Sequence, residues 1–403
     1  MGAGVRTPAG ATVDALWDAV CAGRSSAIPH ADDRLPHDAR LLVCRIEDFD
    51  PADCLTPVEC RRFDRVHQLA IAAAEDALRS AGPDRPPPDR CAVVCGSGIG
   101  AAATVDAQHV RLHGSGARGL SPLVVPMTMA NAAAALLSLR FGFTGPCLTI
   151  STACASGATA IAEGVELLRR GAADLVLAGG AEAPLTLSTL AGFLRLDVMS
   201  RRVDAPELAL RPFDVDRDGF VMGEGAAFVV LRRAGEAAGA GAPGRRSLGR
   251  VLGQASSADA HHLVAPSPGG EGALACMRAA LADAGLTPSG VAHVNAHGTG
   301  TGPGDLAEAI ALGRLFGGAT PPVSAVKGTT GHLVAASGVV EAIVALRAIA
   351  EGVAPPVAGL SRLDPACPVD AVIGRPRPIG PGAALSTSFG FGGLNTVLVL
   401  GAA

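Results

Sequence analysis

The sequence predicts an α/β protein built from two halves, and three observations support this. Short β-rich runs such as "CAVVCGSG", "ADLVLAGG", "AAFVVLRR" and "VAHVNAHG" alternate with Ala-, Leu- and Arg-rich stretches, a pattern typical of a parallel or mixed sheet with helices on both faces. The 403 residues exceed the roughly 250 to 300 at which a single hydrophobic core stops growing. The most linker-like stretch, "GEAAGAGAPGRRS", covers residues 235–247. The predicted halves are therefore residues 1–240 and 241–403.

The helices of this arrangement are predicted from apolar residues recurring at helical spacing. Five stretches have that pattern: 64–80, 155–170, 271–285, 304–316 and 336–351. The Pro-rich "AGPDRPPPDR", residues 81–90, is predicted to be a stiff surface loop.

Composition excludes several classes of function. With 52 glycines, one tryptophan, no tyrosine and only 3% aromatic residues, the chain is poor in the aromatic residues that stack on bases. Its net charge of −4 argues against the basic stripe of a nucleic-acid-binding protein. No nucleic-acid partner is therefore expected.

Two long uncharged runs, residues 119–139 and 141–162, raise the question of a membrane span. Both contain proline and polar residues, so we interpret them as buried parts of a soluble core and expect no membrane span. The N-terminus has no basic region followed by an apolar run, so we expect no signal peptide and a cytoplasmic location. The ten cysteines contain no CxxC pair, and neither a disulfide framework nor a metal site is predicted.

The strongest candidate nucleophile is Cys154, in "PCLTISTACASGATAIAEG". The segment is predicted to run from a strand through a tight turn into a helix, a position where α/β enzymes commonly place nucleophiles. Unpaired N–H groups at the start of that helix favour an anion, so the pKa of the thiol is expected to be lowered. The small neighbours Ala153, Ala155, Ser156 and Gly157 would let a substrate approach the sulfur.

Lys327 is the only lysine among 33 basic residues. Arginine is always charged and planar, whereas lysine is a compact point donor on a flexible stem. A chain that uses arginine elsewhere but keeps one lysine in the Gly/Thr-rich "VKGTTGHLVAASG" indicates a site that needs an ammonium group.

Two histidines are candidate partners of the nucleophile. His297 follows a predicted strand in "VNAHGTGTGPGDLAEA", which also supplies Thr299, Thr301 and Glu308, and His332 lies five residues after Lys327. A histidine after a buried strand is often only a satisfied core residue. Here several strand-end motifs converge, and ligands of α/β proteins bind at the carboxyl ends of strands.

A last Gly-rich turn, "SFGFGGLN" at residues 388–395, contains Phe389, Gly390, Phe391 and Gly392. Such a turn can present backbone N–H groups to an oxyanion while a ring closes over the site. The alternative interpretation is a bulge beside the last strand.

Taken together, these motifs resemble the β-ketoacyl-acyl-carrier-protein synthases of the thiolase-like superfamily, particularly the chain-elongating branch. The resemblance covers nearly the whole chain, since "STACASG", "ADLVLAGGAEA", "RPFDVDRDGFVMGEGAAFVVL", "NAHGTGT", "KGTTGHLVAASG" and "SFGFGGLN" occur in the family's order. It implies a thiolase-like fold of two similar α/β halves stacked as α-β-α-β-α layers. It also implies a dimer and a decarboxylative Claisen condensation, in fatty-acid, polyketide or polyene synthesis.

The resemblance assigns a role to each candidate. Cys154 would accept an acyl chain from the phosphopantetheine of an acyl carrier protein, and His297 and His332 would stabilise the enolate formed from malonyl-carrier protein. The N–H groups of Cys154 and Phe391 would form the oxyanion hole, while Phe389, Gly390, Phe391 and Gly392 would form the gate. Thr299 and Thr301 would hold the pantetheine arm, and Lys327 would pair with Glu308 without taking a proton. No metal or redox cofactor would be required.

The sequence differs from the family's usual pattern at two places. Met1 is followed at once by "GAGVRTPAG", so the family's first strand is expected to be absent, through a misassigned start or a sheet that lacks one strand. Val264, in "SSADAHHLVAPSP", occupies the neighbourhood where relatives often carry a threonine that contacts the pantetheine.

The implied partner is an acidic acyl carrier protein, and Arg61, Arg62, Arg201 and Arg202 resemble the family's docking positions. An ordinary solvated surface is the alternative for these four residues. The second subunit could be identical or a ketosynthase-like partner. Two other functions stay open: a non-catalytic, chain-length-setting subunit, against which Cys154 argues, and a degradative thiolase, against which the pairing of His332 with Lys327 argues.

Overall fold

Two five-stranded sheets form the framework of the protein. The computed structural model describes residues 2–32, 41–234 and 247–403. The strands in those ranges are β1 Gly2–Arg6, β2 Ile28–His30, β3 Leu41–Cys44, β4 Cys91–Gly96, β5 Cys147–Ile150, β6 Leu175–Glu182, β7 Met222–Gly223, β8 Gly225–Leu231, β9 Arg250–Ala258, β10 Val291–Asn295, β11 Val323–Ser324, β12 Val353–Ala354, β13 Arg377–Pro378, β14 Ala383–Gly390 and β15 Leu394–Gly401.

The helices match the sequence pattern closely. They are α1 Val13–Cys21, α2 Pro57–Arg62, α3 Arg65–Ala81, α4 Ala102–Ser115, α5 Val124–Thr128, α6 Ala132–Phe141, α7 Ser156–Arg169, α8 Leu187–Arg195, α9 Glu271–Asp283, α10 Gly302–Leu315, α11 Lys327–Thr330 and α12 Ser337–Glu351. The five predicted helices are confirmed as α3, α7, α9, α10 and α12. Residues 235–246 of the predicted linker lie outside the described residues, and the division at residue 240 stays a prediction.

The two sheets have the same topology. The first has the order β1-β8-β6-β4-β5 and the second β9-β15-β14-β10-β11. In each sheet the last three strands of that order are parallel and the first two pair antiparallel. The predicted mixed sheets are confirmed, and each half repeats the other.

Helices separate and cover the sheets. α7 packs on β4 and β6, α12 packs on β10 and β14, and the two helices contact each other between the sheets. α3 covers the outer face of the first sheet, and α9 covers that of the second. The α-β-α-β-α layering is confirmed.

The prediction that the first strand is absent is wrong. Residues Gly2–Arg6 form β1, which pairs antiparallel with β8. The strand was not predicted because its glycines lack the β-branched side chains that indicate a strand. They serve helix packing instead. A Cβ built on Gly4 would lie 2.2 Å from the Ala73 carbonyl oxygen of α3, so glycine is what lets the helix lie directly on this strand.

None of the helices in the described ranges is long and apolar enough to cross a membrane. Residues of the two uncharged runs instead form α5, α6, β5 and part of α7.

Candidate active site

Cys154 lies on a strained turn between β5 and α7. Ala153 has φ +50°, a left-handed conformation that alanine rarely adopts, and residues Ala153–Ala155 form a short 3₁₀ turn before the helix. The Ser156 hydroxyl fixes the turn, since it accepts from the Thr152 N–H at 2.9 Å and donates to the Ala153 carbonyl at 2.6 Å. The predicted strand-turn-helix position is confirmed.

The expected lowering of the Cys154 pKa is wrong in this resting structure. Burial raises the pKa of the Cys154 thiol to about 11, against the opposing effects of the Lys327 charge and a hydrogen bond from the Phe391 N–H. Desolvation of the thiolate outweighs these local effects. The resting group is therefore the protonated thiol.

His297 lies two residues after β10, on a loop held by Glu308. The Glu308 carboxylate accepts hydrogen bonds from the backbone N–H groups of His297 at 2.8 Å and Gly298 at 2.9 Å. The Thr387 hydroxyl donates a third, at 2.6 Å. Burial raises the pKa of Glu308, and these donors oppose the shift.

The predicted pairing of Lys327 with Glu308 is also wrong. Lys327 is fully buried at the first position of α11, three residues after the end of β11. Its ammonium pairs with Glu341 of α12 at 2.5 Å. It also donates to the His297 carbonyl and approaches Nδ1 of the same ring at 3.1 Å. Glu308 is occupied by the His297 loop, so the lysine finds its carboxylate on the helix between the sheets.

His332 lies on a second strained turn, before α12. Its Nδ1 accepts from the Val334 N–H at 3.2 Å and lies 3.2 Å from the Ser337 hydroxyl. Val334 has φ +47°, which a β-branched residue adopts only under constraint. The backbone thus fixes the orientation of the His332 ring.

These contacts determine which nitrogen of each ring is the donor. Lys327 donates to Nδ1 of His297 and a backbone N–H donates to Nδ1 of His332, so each neutral ring carries its proton on Nε2. Burial first, and then the charge of Lys327, hold the pKa of both histidines well below its usual range. The ring centroids are 5.7 Å apart, and the site therefore offers two neutral N–H donors.

A cavity of about 210 Å³ brings most of the predicted residues together. Among its lining residues are nine of them: Cys154, His297, Thr299, Thr301, Glu308, His332, Phe389, Gly390 and Phe391. Lys327 lies behind the histidines, where it contacts His297. The Thr299 and Thr301 hydroxyls are 2.9 Å apart.

The predicted Gly-rich turn connects β14 and β15 beside Cys154. A Cβ on Gly390 would lie 2.7 Å from the Thr152 carbonyl oxygen and 3.2 Å from the Cys154 nitrogen, so only glycine permits this approach. The Gly392 N–H donates to the Leu263 carbonyl at 2.7 Å, and Asn395 donates to Asp259 at 2.7 Å. The turn is therefore joined to the loop that follows β9.

The four predicted docking arginines lie outside the lining of this cavity. Arg61 and Arg62 are exposed at the end of α2. Arg201 is exposed and pairs with Asp197 at 2.5 Å, and Arg202 donates to the Asp216 carbonyl at 3.1 Å.

Sequence reasoning missed Glu341. The signal was available, because Glu341 is the one acidic residue amid the apolar "GVVEAIVALRAIA" of the predicted 336–351 helix. An acid on the buried face of a helix requires a cationic or hydrogen-bonding partner, and Lys327 is that partner.

The fold and the Cys-His-Lys-His site together define a thiolase-like condensing enzyme. Family models for the beta-ketoacyl synthase N-terminal and C-terminal domains match residues 1–237 and 248–361. The chain belongs to the beta-ketoacyl synthase family. It is 38% identical to the 3-oxoacyl-[acyl-carrier-protein] synthase 2 of Synechocystis sp., over 98% of this chain and 96% of that protein. The corresponding protein of Coxiella burnetii is 35% identical over 99% and 97%.

Solved structures of ketosynthases also resemble this chain over its whole length. The ishigamide ketosynthase/chain length factor superposes with a TM-score of 0.92 at 30% identity, covering 100% of this chain and 98% of that one. A beta-ketoacyl synthase from Burkholderia phymatum gives 0.90 at 32% identity, with the same coverage. A type II polyketide ketosynthase, solved with its acyl-carrier protein and bound to the hexaketide, gives 0.91 at 26% identity, again with the same coverage. The predicted ketosynthase activity is confirmed: the chain is an acyltransferase of fatty-acid or polyketide biosynthesis.

Proposed function

We propose that Cys154 is the residue that carries the acyl chain. Attack of its sulfur on an acyl-carrier-protein thioester forms the acyl-Cys bond and breaks the bond to the pantetheine sulfur, which leaves with the thiol proton. Covalent capture splits one difficult condensation into transfer and attack. The Phe391 N–H that points to the Cys154 sulfur and the N–H of Cys154 itself are the proposed oxyanion-hole donors.

The two histidines are the proposed donors to the malonyl thioester. When the malonyl carboxylate leaves as carbon dioxide, its electron pair becomes an enolate whose oxygen needs hydrogen-bond donors. Two neutral Nε2–H groups supply them, and each could contribute about 2.7–4 kcal/mol, as single oxyanion-hole donors do elsewhere. The enolate carbon then attacks the acyl-Cys carbonyl, and the Cys154 sulfur leaves and recovers a proton.

Lys327 is a positioning residue in this proposal. Its contacts are with Glu341 and with the carbonyl and Nδ1 of His297, so it keeps Nε2 of His297 protonated and does not itself accept a proton. Glu308 positions the same loop from the other side. Because decarboxylation drives the condensation and protein N–H groups stabilise the charge, the proposed chemistry needs no metal or redox cofactor.

The proposed substrate carrier is an acyl carrier protein, whose pantetheine arm would lie against Thr299 and Thr301. Arg61, Arg62, Arg201 and Arg202 are the proposed docking residues for its acidic surface. The cytoplasmic location of the protein stays a prediction from the sequence.

We also propose a dimer through the free edge of the first sheet. β5 is an edge strand whose Leu148 is 36% exposed. Near it in sequence lie exposed Met129 at 53% and Leu139 at 78%. Such an edge and apolar patch are normally covered, and a second copy or a ketosynthase-like subunit would cover them. Cys154 argues that this chain is the catalytic subunit in either case.

The test combines loading with product formation. After incubation with acyl-carrier protein, peptide mapping should place the acyl mass on the Cys154 peptide alone. Adding malonyl-carrier protein should then release carbon dioxide and yield the 3-oxoacyl product. Label on another cysteine, or full loading of Cys154→Ala, would contradict the assignment.

A further inference from the structure

A row of four hydroxyl groups runs from the first half of the protein into the second. The Thr159 hydroxyl, in α7, lies 2.8 Å from that of Thr152 and 2.8 Å from that of Thr396. The Thr396 hydroxyl, on β15, lies 3.2 Å from that of Ser256 on β9. The row therefore connects the segment just before the turn at Cys154 to two strands of the second half.

The donors and acceptors in this row follow from the number of protons available. Thr159 also donates to the Ala155 carbonyl at 3.0 Å, and a carbonyl oxygen can only accept. Since a hydroxyl group has one proton and can accept twice, Thr152 and Thr396 both donate to the Thr159 oxygen. Thr159 is 8% exposed and Thr396 1% exposed, so the hydrogen bond between them is shielded from bulk water.

Thr159 thereby joins the two segments that carry the proposed oxyanion-hole donors. Thr152 lies two residues before Cys154, and Thr396 lies five residues after Phe391. The N–H groups of Cys154 and Phe391 come from different halves of the chain, and both must point at one oxygen to stabilise its charge. Their relative position depends on contacts between the halves, and the Thr159 hydroxyl makes such a contact.

From this we infer that Thr159 is a positioning residue for the oxyanion hole, whose hydroxyl holds the Cys154 turn and the Gly-rich turn at a fixed distance. The inference rests on the proposed roles of Cys154 and Phe391. The close packing of Gly390 against the Cys154 backbone does not need this hydroxyl. Loss of the hydroxyl should therefore shift the two N–H donors relative to each other without separating the turns.

The test compares two reactions of the same sulfur. Transfer from hexanoyl-carrier protein passes through a tetrahedral oxyanion. Alkylation by iodoacetamide does not, because the sulfur–carbon bond forms at a saturated carbon as iodide leaves and the thiol proton goes to solvent. Initial rates of acylation are measured by intact mass, and those of alkylation by mapping the Cys154 peptide, since the chain has ten cysteines.

Thr159→Val removes the hydroxyl with little change of shape. The kcat of acylation should fall about 10-fold, which is less than the roughly hundredfold cost of a 1 Å displacement. The KM of acylation and the rate of alkylation should stay within about twofold, because the lost interaction acts only in the transition state of acyl transfer. Thr159→Ser keeps the hydroxyl and should restore the kcat of acylation.

Two further variants test the connection to the second half. Thr396→Val removes the donor on β15 and should slow acylation as Thr159→Val does, and it provides the same comparison if Thr159→Val does not fold. The double variant should be no slower than either single variant, because both break one connection. Ser256→Ala is the matched control, since it removes only the exposed end of the row and should leave acylation unchanged.

Equal slowing of acylation and alkylation by Thr159→Val would overturn the inference, because the hydroxyl would then serve packing alone. Unchanged acylation in that variant, or no recovery in Thr159→Ser, would overturn it as well. Additive losses in the double variant would contradict the connection through Thr396. If wild-type Cys154 took up no acyl chain, the proposed function would fail instead.

Discussion

The two halves of the molecule contain matching turns that differ in chemistry. In the first half, Ala153 at φ +50° is followed by Cys154, Ala155 and Ser156, and α7 begins. In the second half, Val334 at φ +47° is followed by Ala335, Ala336 and Ser337, and α12 begins. In each turn the serine hydroxyl accepts a hydrogen bond from the N–H four residues before it.

The difference lies in which residue faces the cavity. The first turn presents Cys154, whereas the matching Ala335 is fully buried and the second turn contributes His332 instead. A Cβ on Gly157 would lie 2.2 Å from the Ala335 carbonyl oxygen, so Ala335 is packed against the other turn. The duplicated backbone supplies two matching turns, and packing against the other half decides that position 154 faces the cavity and position 335 does not.

Moving the thiol from one turn to the other should give the largest effect. Cys154→Ala should reduce acyl loading by roughly a thousandfold or more, because the covalent step is lost. Adding Ala335→Cys should not restore it, since position 335 does not face the cavity. Intact mass after incubation with acyl-carrier protein measures both variants, and an acyl adduct at position 335 of the double variant would show that the turns are equivalent.

Lys327→Arg tests whether the site in the second half needs the compact ammonium of lysine or only a positive charge. The larger guanidinium must fit a fully buried site between Glu341 and His297, so it should shift the histidine, and a displacement of about 1 Å can cost roughly a hundredfold. Carbon dioxide release should fall by that order, while acyl loading on Cys154 falls much less. Wild-type rates in both half-reactions would mean that charge alone suffices.

Gly157→Ala and Gly338→Ala test the packing between the two turns. The new methyl at position 157 meets a backbone oxygen, which cannot move away, so a loss of about 1–3 kcal/mol in unfolding free energy is expected. At position 338 the nearest atoms are the Ser388 hydroxyl at 2.8 Å, which can rotate, and the Cβ and backbone nitrogen of Ala158 at 2.9 and 3.0 Å. All three lie farther away than the oxygen that position 157 meets, so the loss should be smaller. Urea denaturation compares the pair, and the reverse order would contradict this explanation.

The rates of the two half-reactions, acyl loading on Cys154 and carbon dioxide release at the histidines, should also depend differently on pH. Because the pKa of Cys154 is raised to about 11, the thiolate fraction, and with it acyl loading, should rise up to about tenfold per unit between roughly pH 6 and 9. The histidines have lowered pKa values and stay neutral in this range. Carbon dioxide release by pre-acylated enzyme should therefore stay constant, and a loss of that activity with a midpoint near the ordinary histidine pKa of about 6.5 would contradict the assignment.

The smallest effect is expected at the surface. Reversing the charge of Arg62 and Arg202 together should raise KM for carrier-bound substrate several-fold and reduce its dependence on salt, because exposed charges mainly set association rates. Reversal of exposed Arg250 on β9 serves as the control. If KM changes equally in the Arg62/Arg202 variant and in the Arg250 control, the assignment of Arg62 and Arg202 as docking residues is contradicted.

Local sequence was sufficient for the helices, the turn at Cys154 and the convergence of both histidines. These features depend on periodicity and on residues close together in the chain, which is why they could be predicted. The strand Gly2–Arg6 could not, because its glycines reflect the approach of α3, which is a long-range contact.

The amino-acid sequence by itself thus determined the family, the candidate nucleophile and the candidate donors. Tertiary structure alone decided that Lys327 pairs with Glu341 and that burial raises the pKa of Cys154. It also decided that position 154 of the first turn faces the cavity while the matching position 335 of the second turn does not. The physical reason is the same in each case: desolvation and the choice of an ion-pair partner depend on which distant groups surround a side chain, and chain spacing does not encode them.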